Sequence, residues 1–263
     1  MKPIHRIFIF GDSWMEGQGT FEEETHTEWN DVYPYSSTGQ VGSIGWKRKE
    51  ESWKAFFKET YGEVEVINYA LQGCSNYEQF EYLNKNLKDF KNTDLILFGF
   101  TSKQRDTSKA INYPFDAQKN SFTKGDLFEK YFYSAVYDDI VYEKIAQTNY
   151  LYYQTYAKEN NLNILFFDLF ESYVNIDNCS KSLISLIDEN MYINFGKVNY
   201  LNKLIKYELN NYDNKNTITI WELGNTFPSV GDDVHPNQFG YKLIFKDIIS
   251  YIDKKYIITQ KEN

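Results

Sequence analysis

Histidine is scarce in this chain, three in 263 residues, and cysteine scarcer, with two. Cys74 and Cys179 cannot make a disulfide framework and read as free thiols in a reducing compartment. Positive charge is also in deficit: 28 Lys and Arg face 37 Asp and Glu, leaving a net charge of −9. That balance argues against a nucleic-acid binder, which shows a basic stripe, and against docking on an anionic membrane. Long hydrophobic runs are missing too. The stretch Asn163 to Phe170 is far shorter than the ~20 apolar residues that cross a bilayer. The opening Met1-Lys2-Pro3-Ile4-His5-Arg6 lacks the apolar segment of a secretory signal, so a cytoplasmic location is expected.

Aromatic residues, by contrast, abound, with 23 Tyr, 20 Phe and 5 Trp. They suit a core, and also a surface on which sugars stack, because Tyr and Trp join an apolar body to a polar tip. A chain of this length buries roughly three quarters of its extended surface, so one core needs no metal or disulfide staple. A single domain over 1–263 is expected, with a neutral or cationic partner, or a sugar, left open.

Four segments read as strands: Ile7 to Phe10 and Leu95 to Phe100, apolar throughout, and Val64 to Tyr69 and Asn163 to Asp168. Between them lie helical patterns. Trp53, Phe56, Phe57 and Tyr61 recur at helical spacing before Gly62. Asn76 reads as the cap of a helix running to Phe90, with Phe80, Leu83 and Leu87 on one face. A long helix is expected from about Leu127 to Asn160, and a closing one from Pro236 to Tyr256. Segments 14–50 and 103–150 read as loop or helical insertions, and Thr217 to Ile220 as a short strand or covering loop. Alternating strands and helices predict an α/β fold, a three-layer α/β/α sandwich around a mostly parallel, flavodoxin-like sheet. Ligands in such sheets bind beyond the carboxyl ends of the strands. The turns Gly11 to Ser13, Gly73 to Asn76 and Gly99 to Ser102 are therefore the candidates for chemistry.

Ser13 stands in such a turn, and a serine needs a base to become a nucleophile. His5 precedes the first strand, and His26 follows Glu22-Glu23-Glu24 in a loop read as solvated. His235 is different, because Asp232 precedes it by three residues and Pro236 opens the last helix behind it. An aspartate so placed can turn back to the imidazole and fix its tautomer, with Asp233 a competitor for that role. No metal or cofactor is expected: a single histidine beside carboxylates makes no spaced ligand set, and Cys74 reads as a packing residue.

Phe10-Gly11-Asp12-Ser13 after the first strand, Gly73 after the second, and Asp232-x-x-His235-Pro236 before the last helix occur in the order of the GDSL/SGNH hydrolase blocks. The chain resembles that family over nearly its whole length. The resemblance implies Ser13 as nucleophile, His235 as general base, Asp232 as its orienter, and the Ser13 and Gly73 amides as oxyanion donors. The third block departs from the pattern. Family members carry Gly-x-Asn-Asp, whereas this chain has Gly99-Phe100-Thr101-Ser102. Thr101 stands where the amide donor belongs, with its hydroxyl as replacement and Ser102 as the fallback. The implied activity is that of a serine esterase working through an acyl-serine, and the many aromatic side chains, on which sugars stack, favour an O-acetylated carbohydrate as its substrate. Two other readings stay open, a non-catalytic glycan- or protein-binding domain and an O-acyltransferase.

Overall fold

The computed structural model describes residues 1–16, 53–71, 74–101, 139–169, 185–194, 200–211, 236 and 238–259. Four strands form a parallel sheet: β2 (Arg6–Phe10), β3 (Glu65–Asn68), β4 (Asp94–Phe100) and β5 (Asn163–Asp168), in the spatial order β3-β2-β4-β5. The first strand is thus central and the second lies outside it, as in a flavodoxin-like doubly wound sheet. Phe8 pairs with Ile67 on one side and Ile96 on the other, which fixes the register of three strands.

Alternation along the strands divides the core in two. Ile7, Ile9, Leu95, Leu97, Leu165 and Phe167 face one layer, packed against helix α2 (53–61), α5 (Tyr200–Asn211) and α6 (Gln238–Lys255). Phe8, Phe10, Ile96, Phe98, Phe100 and Phe166 face the other, with α3 (Asn76–Lys85) and α4 (Asp139–Glu159). Every residue of β4 and β5 is buried, which explains why these strands read as unbroken apolar runs. The fold is a three-layer α/β sandwich.

Arg6 and Asp94 lock the amino ends of β2 and β4. The guanidinium donates from Nε to Asp94 Oδ1 at 2.9 Å and from Nη2 to Oδ2 at 2.6 Å. Lys91 N donates to the same carboxylate at 2.7 Å. Asp94 and its hydrogen-bonding raise the Arg6 pKa further.

Several boundaries differ from the sequence expectation. Ser75, not Asn76, caps α3: its hydroxyl accepts from Glu78 N while Glu78 accepts from Ser75 N, a complete capping box. The helix ends at Lys85, and a 3₁₀ turn at Leu87–Asp89 covers the rest of the expected span. The closing helix stops at Lys255, and Tyr256–Ile258 forms β6, paired in parallel with β1 (Lys2–Ile4). The segments 17–52 and 102–138 lie outside the described residues, as does 217–220, while 139–150 forms the first half of α4. Among the described residues no helix is long and apolar enough to cross a membrane.

Candidate active site

The chain turns directly after β2. Gly11 has φ +147°, a region that favours glycine, and a Cβ there would lie 2.4 Å from Met15 Cγ and 2.9 Å from Gly99 O. Both of its backbone polar groups are used. Gly11 N donates to Gln79 Oε1 at 3.1 Å, and Gly11 O accepts from Leu71 N at 3.1 Å. The end of β2 is thereby tied to α3 and to the segment leaving β3.

Asp12 is fully buried and works in two directions. Oδ1 accepts from Trp14 N at 3.0 Å, capping the short helix α1 (Ser13–Glu16), and Oδ2 accepts from Thr101 Oγ1 at 2.7 Å. At the other end of α1, Trp14 O accepts from Trp53 Nε1 at 3.4 Å and Met15 O from Asn68 Nδ2 at 2.9 Å. A helix of four residues cannot satisfy its own backbone, so partners from α2 and β3 complete it.

Thr101 follows β4 directly and is 2 % exposed. Its N–H donates to Asn76 Oδ1 at 2.8 Å, and its carbonyl accepts from Asn76 Nδ2 at 3.1 Å. Asn76 and Gln79 sit three residues apart on one face of α3, both buried. One helix therefore reaches both the Gly11 turn and the Thr101 turn. The turns after β2, β3 and β4 are drawn together at the carboxyl edge of the sheet.

Of the residues expected from sequence, Ser13 opens α1 beside this network, with its side chain outside the described residues. Gly73, Ser102, Asp232 and His235 also lie outside the described residues. Pro236, next after His235, is buried, and α6 starts two residues later at Gln238. Thr101 is present, but the hydrogen bond its hydroxyl donates goes to Asp12. Asp12, Asn76 and Gln79 were not expected as functional groups. The signal that could have found Asn76 is the capping signature Ser75-Asn76-Tyr77-Glu78, which gives the cap to Ser75 and places Asn76 in the first turn.

Burial, with Asp168 and other carboxylates adding to it, pushes the phenols of Tyr150 and Tyr200 well above the ordinary tyrosine range. Both stay neutral and serve as packing. Among the described residues no three His, Cys, Asp or Glu side chains gather as metal ligands would.

No protein-family profile matches the chain, and no curated protein matches it. Among solved structures, it is similar to a provisionally assigned acylhydrolase of Bacteroides fragilis. Identity is 14 % and the TM-score 0.38, over 97 % of this chain and 90 % of that one.

Proposed function

We propose that this chain is a serine esterase of the GDSL/SGNH kind, with Ser13 as nucleophile, His235 as general base and Asp232 as the group that orients it. The observation that carries the reading is the convergence of three strand-end turns. Gly11-Asp12-Ser13 leaves the central strand, and direct hydrogen bonds join it to Thr101 and to α3. A serine that follows the central strand at the carboxyl edge, where sheets of this kind bind ligands, supports the reading.

In the proposed reaction Ser13 attacks an ester carbonyl while His235 takes its proton. The alcohol leaves with that proton, and water then hydrolyses the acyl-serine by the same route in reverse. The backbone amides of Ser13 and Gly73 hold the oxyanion, and Ser102 is the side chain left as a third donor. The aromatic-rich composition, with its many tyrosines, supports an O-acetylated carbohydrate as substrate. The fold does not choose it.

The test is a panel of p-nitrophenyl esters of increasing chain length, with wild type and Ser13→Ala, alongside labelling by a fluorophosphonate probe. Hydrolysis of the short esters, lost in Ser13→Ala together with labelling, is the expected result. Labelling of neither protein would leave a binding domain as the better reading. Acyl transfer to an added sugar in preference to water would make it a transferase.

A further inference from the structure

We infer that Asp12, Thr101 and Asn76 are positioning residues, and that Thr101 holds Asp12 in place instead of facing the oxyanion. The inference rests on the esterase reading and deepens it. A continuous run of bonds supports it: Asn76 grips both backbone groups of Thr101, Thr101 donates to Asp12, and Asp12 caps the Trp14 amide. Ser13 lies inside that last link, between Asp12 and Trp14.

Three features separate this role from direct donation to substrate. A threonine hydroxyl has one proton, and at 2.7 Å it is given to a carboxylate oxygen. The residue is 2 % exposed, whereas an oxyanion donor must meet the substrate. Its N–H and C=O are both held by one amide, so the backbone cannot swing the hydroxyl elsewhere without losing two bonds. The precision matters because a displacement of about 1 Å at a nucleophile can cost on the order of a hundredfold in rate. A third-strand turn that reads as a lost oxyanion donor thus acts as a brace for the nucleophile.

A double-mutant cycle with p-nitrophenyl acetate tests this. Thr101→Val should lower kcat roughly ten- to a hundredfold and shift KM by less than about twofold, while Thr101→Ser, which keeps the hydroxyl, should restore most of the rate. On an Asp12→Ala background, Thr101→Val should cost less than about threefold more, because the brace is already broken. If Asp12→Ala does not fold, Asn76→Ala replaces it in the cycle. An equal loss from Thr101→Val in both backgrounds would show a hydroxyl that acts on the oxyanion directly, and would overturn the inference. So would full kcat in both Thr101→Val and Asn76→Ala with wild type active. Wild type that neither hydrolyses the ester nor takes a fluorophosphonate on Ser13 sinks the esterase reading first, and the catalytic role of the brace with it.

Discussion

The side chain of Met15 occupies the space that a Cβ on Gly11 would need: a methyl group there would lie 2.4 Å from Met15 Cγ and 2.8 Å from Met15 Cβ. Gly99, on the neighbouring strand, meets the same side chain, with Met15 Cγ at 2.7 Å and Sδ at 2.8 Å from its would-be Cβ. One methionine thus packs over two glycines, and α1 can settle onto the sheet only because both lack a side chain.

The two glycines should respond differently to substitution. Gly11→Ala should destabilise by at least about 2 kcal/mol, since its φ is strained for alanine and Gly99 O blocks the methyl as well. Met15→Ala should not relieve it. For Gly99→Ala the three nearest atoms all belong to side chains, of Met15 and Leu169, so Met15→Ala should offset part of its cost. Urea unfolding of the three single and two double variants checks this, and rescue of Gly11→Ala by Met15→Ala would contradict the account.

Ser13→Ala and His235→Ala should each abolish nearly all ester hydrolysis, and the double variant should be little worse, because nucleophile and base act as a unit. Asp232→Asn should slow turnover strongly while Asp233→Asn stays near wild type. Steady-state kinetics on a short p-nitrophenyl ester decides. More than about a tenth of wild-type rate in either alanine variant, or the reverse ranking of the two aspartates, goes against the assignment.

Arg6→Met should cost about 3 kcal/mol, since it leaves a buried carboxylate with its main partner removed. Chemical denaturation measures the loss. Asp94 is 1 % exposed at its side chain, so its charge depends on the partners that surround it. A change below about 0.5 kcal/mol, the level of a surface pair, would mean that the lock contributes little.

The Lys158–Asp188 pair should matter less, and only above acid pH. The hydrogen bond from Lys158 at 2.7 Å, aided by the Asn190 N–H, holds the Asp188 carboxyl below its ordinary value. A group whose pKa is lower in the folded state stabilises above its unfolded pKa, about 4. That contribution disappears as pH falls through the folded value. Asp188→Asn should therefore destabilise by less than about 1 kcal/mol at pH 7, given the half-exposed lysine, and by progressively less as the pH is lowered towards 2. Thermal melts across pH 2 to 7 give the comparison, and a difference that grows on acidification would reverse the sign argued here.

The sheet was legible because its strands are short apolar runs closed by glycine or by an acid, as at Phe10-Gly11 and Phe167-Asp168. Cover on both faces keeps the middles of β2, β4 and β5 apolar, which separates them from the amphipathic helices, whereas half-buried β3 carries Glu65 and Asn68 at its ends. β6 was hidden because Tyr256-Ile257-Ile258 continues the apolar pattern of α6, and its partner β1 lies some 250 residues away. Asn76 looked like a cap because asparagine favours that place. Ser75 wins it through its box with Glu78, and Asn76 moves inward to Thr101. The hydrogen bond between Asp12 and Thr101 spans 89 positions, and no local pattern encodes such a pairing. The expected catalytic residues rest on sequence motifs alone, whereas the run of hydrogen bonds from Asn76 through Thr101 to Asp12 becomes visible only when the turns share an edge.

The pairing of β1 with β6 also sets how the fold would bear a load. The strands run parallel, with Lys2 beside Tyr256 and Ile4 beside Ile258, and Thr259 adds bonds from N and Oγ1 to Ile4 O. A pull applied before residue 2 and after residue 259 drags the two strands past each other along their length. Their rungs are then stretched together in shear and cannot open one at a time like a zip. Tension along the chain meets this small ladder before it reaches β2, so the turn bearing Ser13 is shielded from force until the ladder gives way.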